Sequence, residues 1–288
     1  MKPISSKSGY TLKNNLLLGE DDIFADLTEK AGSSLFLGKY TITEVEAALG
    51  KRNFYREAQK RDLFPLVFDL SATETPSLQR FRIYHRSKQA DHLIVDLKIK
   101  EGRFRPKSPT DIPFSFDPFQ FLFLEWLTLQ NPKLSFQPGN APLPGQNKPG
   151  LGLGRKVLEQ FVYLARLNGN SGLLAFPAYF HNAILFSRRF FFLNPEKEAE
   201  VRAISRMFRE IGFKKLAWII HLDALYRGDG TIYSWEAEEQ ICPLHPTLKK
   251  YFASPSYRGT VKRLVAQSAF TVRWDLFKAK AAEQNLSL

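Results

Sequence analysis

The sequence has few of the residues that build metal centres and disulfide frameworks. It contains one cysteine, Cys242, and five histidines, with no close His/Cys pattern among them. One cysteine excludes an intrachain disulfide, and the missing pattern argues against a structural zinc site, which usually takes four such ligands. We therefore expect no metal ion and a structural thiol in a reducing compartment, the cytoplasm.

Long apolar runs are also missing. The most apolar windows are broken by Glu125, by His181-Asn182 and by Arg188-Arg189. None approaches the ~20 residues that a membrane-spanning helix needs. Residues 1–18 are polar and lack the apolar stretch of a secretory signal. We expect neither a membrane span nor a signal peptide.

Acidic residues are in the minority. The chain of 288 residues has 41 Lys and Arg against 29 Asp and Glu, a net charge of +12. The excess is spread along the chain without a block of like charges. It favours an anionic partner such as nucleic acid or a phosphorylated cofactor, although a generally basic surface without a specific partner explains it equally. An apolar content of 44% indicates a globular protein, and 25 Phe predict an aromatic-rich core.

Glycine and proline concentrate between residues 132 and 155. This stretch ends in Lys148-Pro149-Gly150-Leu151-Gly152-Leu153-Gly154-Arg155. Segment 121–129 before it predicts a strand, and segment 155–168 after it predicts a helix that ends at Gly169. Glycines let a ligand approach the backbone, and a helix start offers unpaired amides to an anion. The arrangement predicts a phosphate site, or a glycine-rich connection that binds nothing.

The glycine spacing distinguishes between the known phosphate-binding motifs. From Gly150 the chain reads G-x-G-x-G, whereas the dinucleotide fingerprint requires G-x-G-x-x-G, and no Walker string occurs. Gly152-Leu153-Gly154, after a strand and Pro132 and before a basic helix start, resembles the pyrophosphate loop of the GNAT N-acetyltransferases. That loop is typically [Q/R]-x-x-G-x-[G/A]. Pro149 replaces the Gln or Arg, and the irregular insertion 133–147 precedes it.

The resemblance to GNAT acetyltransferases implies an α/β (α+β) fold, a mixed twisted sheet over residues 35–225. Residues 1–34 would be an N-terminal extension and residues 226–288 a partly helical C-terminal extension. The implied activity is direct transfer of an acetyl or other acyl group from acyl-CoA, the co-substrate, to an amine acceptor. The two central strands would splay apart, with the pantetheine arm in the gap. The implied CoA-binding residues are Leu129, Gln130, Lys148, Gly150, Leu151, Gly152, Leu153, Gly154, Arg155 and Asn182.

Glu125 is the general-base candidate. Strand alternation places it on one side with Phe123 and Leu127, where burial would raise the pKa of its carboxyl toward that of a useful base. GNAT enzymes often use a Glu on this strand to deprotonate the amine, and the resemblance assigns that role to Glu125. A salt-bridged or edge-exposed glutamate is the alternative.

The residue that protonates the departing thiolate is harder to place. A strand predicted at 172–176 is followed by a helix over 177–189, and two alignments of the family's tyrosine fall on Phe186 or Phe208, neither of which has a hydroxyl. Tyr179 or His181 is the substitute acid; otherwise these two residues pack and cap the helix.

The flanking segments support a second hypothesis. The capping box at Thr41–Glu44 predicts a helix to about Lys60, and strands at 66–70, 78–85 and 92–100 predict an antiparallel meander with one face in water. That outer face carries Arg80, Arg82, Lys98 and Lys100, which would contact nucleic acid or simply solvent. The chain is then a non-catalytic GNAT-like binding or regulatory protein for nucleic acid.

Overall fold

The computed structural model describes residues 35–73, 77–108, 112, 114–137 and 141–286. The predicted extension 1–34 lies outside the described residues. The helices in these ranges are α1 (Ile42–Lys51), α2 (Phe54–Gln59), α3 (Gly154–Leu167), α4 (Phe180–Phe186), α5 (Pro195–Met207), α6 (Phe213–His221), α7 (Pro246–Ala253), α8 (Pro255–Gln267) and α9 (Trp274–Glu283). The strands are β1 (Leu66–Ala72), β2 (Gln79–His85), β3 (Leu93–Phe104), β4 (Phe119–Leu129), β5 (Gly172–Ala175), β6 (Phe191–Phe192), β7 (Leu225–Arg227), β8 (Gln240–Pro243) and β9 (Phe270–Val272).

Seven strands form one mixed sheet in the order β1-β2-β3-β4-β5-β8-β6, and β7 pairs with β9 in a separate sheet. Within the large sheet, β4 and β5 run parallel and are connected through α3, while the other neighbours are antiparallel. The predicted mixed α/β class and the strand–helix–strand unit are confirmed. Strand β8 lies between β5 and β6, so the sheet continues past residue 225, where the sequence placed its end. Strand β8 has only four residues, which is too short for an alternation of apolar and polar side chains to be recognised in the sequence.

Helix boundaries follow local capping signals. The Thr41 hydroxyl accepts a hydrogen bond from the Glu44 amide, and the Glu44 carboxylate accepts one from the Thr41 amide, so the predicted capping box is confirmed. The helix predicted to reach Lys60 is interrupted at Asn53, whose φ is 62°. Ser254 caps α8 and Pro255 begins it.

Both faces of the sheet are covered where β4, β5 and β8 lie. One face packs against α1, α2 and α3, and its buried strand residues include Leu122, Leu124, Leu173, Ala175 and Cys242. The other face packs against α7 and α8 through Phe121, Phe123, Leu174 and Ile241. Burial raises the pKa of the Cys242 thiol to about 11, as expected for a structural cysteine. Across the described ranges, no helix is both long and apolar enough for a bilayer crossing.

Strand β5 begins at a glycine in a crowded position. A Cβ on Gly172 would lie 2.8 Å from the Cys242 carbonyl oxygen and 2.9 Å from a carbon of the Phe121 ring. Neither a backbone carbonyl nor a fully buried ring moves aside easily. We expect Gly172→Ala to lower the free energy of unfolding by about 1–3 kcal/mol in urea titrations. Gly154→Ala is the matched control, because its Cβ meets open space; equal losses in both variants would contradict the packing explanation.

Candidate functional site

A gap opens between the two parallel strands. Strand β5 pairs with β4 only from Phe121 to Leu124, and β5 ends at Ala175. Strand β4 continues for five more residues, to Leu129. In the described ranges, no strand lies beside the second half of β4 on that side, because β5 ends at Ala175 and α4 begins at Phe180. The pairing of β4 and β5 therefore stops at Leu124 and Ala175.

A β-bulge at Glu125 changes which way β4 faces. Trp126 lies opposite Lys98 and Leu124 lies opposite Ile99, so Glu125 is an extra residue without a partner on β3. The bulge reverses the side-chain alternation. Leu127 and Leu129 pack with the α1–α3 cluster, whereas Phe121 and Phe123 pack with the α7–α8 cluster. The prediction that these residues share one side of the strand is therefore wrong.

Backbone groups of β4 point into the gap. The Gln130 amide donates to the Ile94 carbonyl at 2.9 Å, so residue 130 faces β3. Since an antiparallel strand alternates its bonding direction, the N–H and C=O of Leu127 and Leu129 face away from β3. The Leu129 carbonyl accepts a bond from the loop described below. Outside the strand ladders, no backbone hydrogen bond of the described ranges reaches the Leu129 amide or either group of Leu127.

The glycine loop is anchored to the end of β4. The Asn131 amide donates to the Pro149 carbonyl at 2.7 Å, and the Leu151 amide donates to the Leu129 carbonyl at 3.3 Å. The Leu151 and Leu153 side chains are buried in the α1–α3 cluster. Two buried leucines and two strand contacts thus hold the loop in place.

The two glycines between and after these leucines are exposed. Gly152 has φ of 71°, a conformation that favours glycine. A Cβ built on Gly152 or Gly154 would have no heavy atom within 4 Å. Solvent-facing space therefore lies directly over the backbone of both residues, and a ligand could reach their amides.

Helix α3 starts without a cap. Its N-cap residue is Leu153, which has no side-chain acceptor. The first amide of the helix to find an internal acceptor is that of Val157, which donates to Leu153 at 3.0 Å. The amides of Gly154, Arg155 and Lys156 are thus unpaired among the described residues, at the positive end of the helix dipole. A helix start with unpaired amides is suited to an anion.

Besides Leu129, four of the predicted CoA-binding residues lie outside the segment Gly150–Gly154, and their positions differ. The backbone amide of Gln130 donates to the Ile94 carbonyl, and its side-chain Nε2 donates to the Leu93 carbonyl at 3.0 Å. Both groups are therefore bonded to β3. Lys148 is half-buried just before the loop, and Asn182 is half-buried on α4. Arg155 is exposed at the helix start. Of these, the structure brings Lys148 and Arg155 to the loop.

Glu125 is exposed, and the expected burial is not found. Its carboxylate is 2.9 Å from the Lys100 ammonium, which also lies 5.1 Å from the centre of the Phe123 ring. The physical reason is the bulge, which turns Glu125 out of the apolar row. The carboxylate is thus held at Lys100 on β3.

Tyr179 and His181 come together at the carboxyl end of β5. Their rings stack with centroids 5.2 Å apart and an interplanar angle of 19°. His181 is buried, and its Nδ1 has no hydrogen-bond partner in the described structure. Burial first, and the nearby His221 second, lower the pKa of His181 to about 4. His181 is therefore neutral at pH 7 and offers Tyr179 an uncharged aromatic support.

The sequence did not point to the other members of this cluster. His221 on α6 lies 5.8 Å from the Tyr179 ring and 5.4 Å from the Trp218 ring. The Trp218 Nε1 donates to the Pro142 carbonyl at 2.7 Å. A Cβ on Gly145 would lie 2.5 Å from the Tyr179 hydroxyl. The predicted insertion therefore packs over the cluster, a contact between distant segments that no local motif signals.

Comparison of the chain with protein-family models, with curated proteins and with solved structures finds no match. The chemistry of the site follows from its own geometry. In the described ranges, no group of three or more His, Cys, Asp or Glu side chains is placed to hold a metal ion. What the site offers is a line of unpaired backbone groups along β4 that continues into unpaired amides at a helix start. Such a line suits an elongated ligand with amide groups at one end and phosphate at the other.

Proposed function

We propose that the chain is an acyl-CoA-dependent N-acyltransferase that resembles the GNAT enzymes. The observation that carries the proposal is the continuity between the free groups of Leu127 and Leu129 in the gap and the uncapped amides that begin at Gly154. Acyl-CoA has a pantetheine arm with amide groups and a pyrophosphate. The arm would add to β4 as an extra strand, and the pyrophosphate would take the helix amides.

The sheet topology supports the same proposal. Strands β4 and β5 are parallel and connected by the helix that would bind phosphate, which is the strand–loop–helix–strand unit that the resemblance implies. Helices α1 and α2 precede β1, which is the first strand of the described ranges. GNAT domains carry such helices between their first and second strands, and residues 1–34 lie outside the described part of the chain.

In the proposed reaction, the amine nitrogen attacks the thioester carbonyl carbon and the carbon–sulfur bond breaks. The Leu127 or Leu129 amide, aimed into the gap, would stabilise the oxyanion. Glu125 would accept the proton of the attacking amine, through a water molecule because it is ion-paired to Lys100. The Tyr179 hydroxyl would give a proton to the departing thiolate. His181 positions the Tyr179 ring by stacking.

Thermal unfolding with acetyl-CoA tests the proposal. A ligand that binds only the native state stabilises it by ~2.7 kcal/mol at ~100 times its dissociation constant. Free CoA is expected to raise the melting temperature as well, because the proposed contacts are to the arm and the pyrophosphate. Release of the free thiol in the presence of amine acceptors then reports the transfer. No shift with acetyl-CoA, longer acyl-CoA or free CoA would overturn the proposal.

A non-catalytic GNAT-like binding protein is the second candidate. The exposed, ion-paired state of Glu125 favours it, since no buried carboxyl stands ready in the gap. The two candidate functions predict different results in the melting and thiol-release experiments. A melting shift with acetyl-CoA, without thiol release for any amine, would support the binding protein.

A further inference from the structure

A basic groove lies away from the glycine loop. It has a volume of about 800 Å³ and is bounded by α5, α7, α8 and the end of β8. Pro243 on its rim pairs with Gly172, at the start of β5, whereas the glycine loop follows the end of β4. The cationic side chains that line the groove are Arg202, Arg206, Lys249, Arg258 and Lys262. All five are exposed, and no carboxylate belongs to the lining in the described part of the chain.

The groove differs from the other basic surface of the protein. On the outer face of the meander, Arg80 pairs with Asp96 at 2.7 Å, and Arg82 pairs with Asp69. In the groove, Arg202 pairs with Glu198 on its own helix at 2.7 Å. Helices α7 and α8, residues 246–267, contain no Asp or Glu at all. The meander face is therefore largely neutralised, while the groove keeps its positive charge.

The shape and lining of the groove indicate which class of ligand it could bind. The cations stand at i and i+4 on α5 and again on α8, so each helix presents a short row of positive charge. Helices α5 and α8 pack against each other, and packed helices have axes only about 8–10 Å apart. Two such neighbouring rows suit the single phosphate backbone of one strand. The half-buried Phe191 ring lines the floor, where a base could stack.

We propose that this groove binds single-stranded nucleic acid through its phosphates. The net charge of +12 and the extension of positive charge along α7 and α8 favour a long polyanion over a short acidic peptide. Binding of this kind is strongly salt-dependent, because each neutralised phosphate releases counterions. The inference does not rest on the acyl-CoA site, which lies elsewhere on the sheet.

Fluorescence anisotropy with a labelled oligouridylate of about 12 nucleotides tests the groove. With four to five phosphate contacts, the plot of log affinity against log salt is expected to have a slope of about −3. The double variant Arg206→Glu/Lys262→Glu should lower the affinity at about 50 mM salt more than about tenfold. Its matched control is Lys51→Glu/Arg56→Glu, which changes the net charge equally on exposed positions of α1 and α2. The control should stay within about threefold.

A milder double variant and two competition experiments complete the test. If the charge-reversal variant does not fold, Arg206→Gln/Lys262→Gln should make the slope less steep by about 1.4, since each lost contact removes about 0.7. Saturating acetyl-CoA should leave binding unchanged. The proposal is overturned if the wild type fails to bind at about 25 mM salt or if both double variants lose affinity equally. It is also overturned if a poly-glutamate peptide of equal charge competes as well as unlabelled oligouridylate, which would assign the groove to an acidic protein.

Discussion

Gly154→Glu is expected to abolish acetyl-CoA binding and, at the same time, to make the unliganded protein more stable. Gly154 is the first residue of α3, and a side chain there enters open space. A glutamate at a helix start interacts favourably with the dipole and replaces a poor helix former, which together should add about 1 kcal/mol to the free energy of unfolding. The same carboxylate would occupy or repel the anion at the amides of Arg155 and Lys156.

The loss of affinity should be large. Hydrogen bonds to a charged group are worth about 1.5–3 kcal/mol each, so removing two phosphate contacts weakens binding by about 100-fold or more. Isothermal titration with acetyl-CoA measures the affinity, and urea titration measures the stability. Opposite changes in these two quantities cannot come from a damaged fold.

Two controls separate charge from bulk and from position. Gly154→Gln has nearly the same size without the charge, so it measures the effect of bulk alone and should lose less affinity than Gly154→Glu. Gly259→Glu introduces the same side chain into α8, also in open space, and should leave acetyl-CoA binding unchanged. Wild-type affinity in Gly154→Glu would show that the helix start does not bind the co-substrate.

Local signals predicted the part of the site that lies close together in sequence. Gly152 and Gly169 adopt positive φ, which glycine supplies most easily, so the loop and the end of α3 could be located without a structure. Gly169 has φ of 72° at the end of α3, as its predicted role requires. The capping box at Thr41 is equally local, because its two partners are three residues apart.

Pairing between distant strands escaped prediction. The bulge at Glu125 exists because β3 and β4 differ by one residue in register, and neither strand alone contains that information. The same bulge decides that Glu125 is exposed and that the amide of Leu127 faces the gap. A sequence can therefore indicate a carboxylate on the right strand and still misplace it. The cluster of Tyr179, Trp218 and His221 has the same cause, since Tyr179 precedes α4 whereas Trp218 and His221 lie on α6.

Stability should fall with decreasing pH because of His181. The unfolded imidazole takes a proton near its ordinary pKa of 6.5, whereas burial lowers the folded pKa to about 4. Between these values the unfolded state binds the extra proton, so the free energy of unfolding decreases as the pH falls from about 6.5 to about 4. The contribution of His181 is fully present above about pH 6.5. Its loss amounts to about 3 kcal/mol, which urea titrations at pH 7, 5.5 and 4.5 would resolve.

The variant His181→Phe separates the pH dependence of stability caused by His181 from that caused by the carboxylates. Phenylalanine keeps an aromatic ring against Tyr179 and Phe213 and removes the unpartnered Nδ1, so the variant should be at least as stable as the wild type at pH 7. Its loss of stability on acidification should be smaller by about 3 kcal/mol. His245→Asn, which replaces an exposed histidine that caps α7 with another good cap, should follow the wild type. If the wild type and His181→Phe lose stability in parallel as the pH falls, His181 has the same pKa in the folded and the unfolded protein. The histidine that stacks on Tyr179 would then be open to solvent.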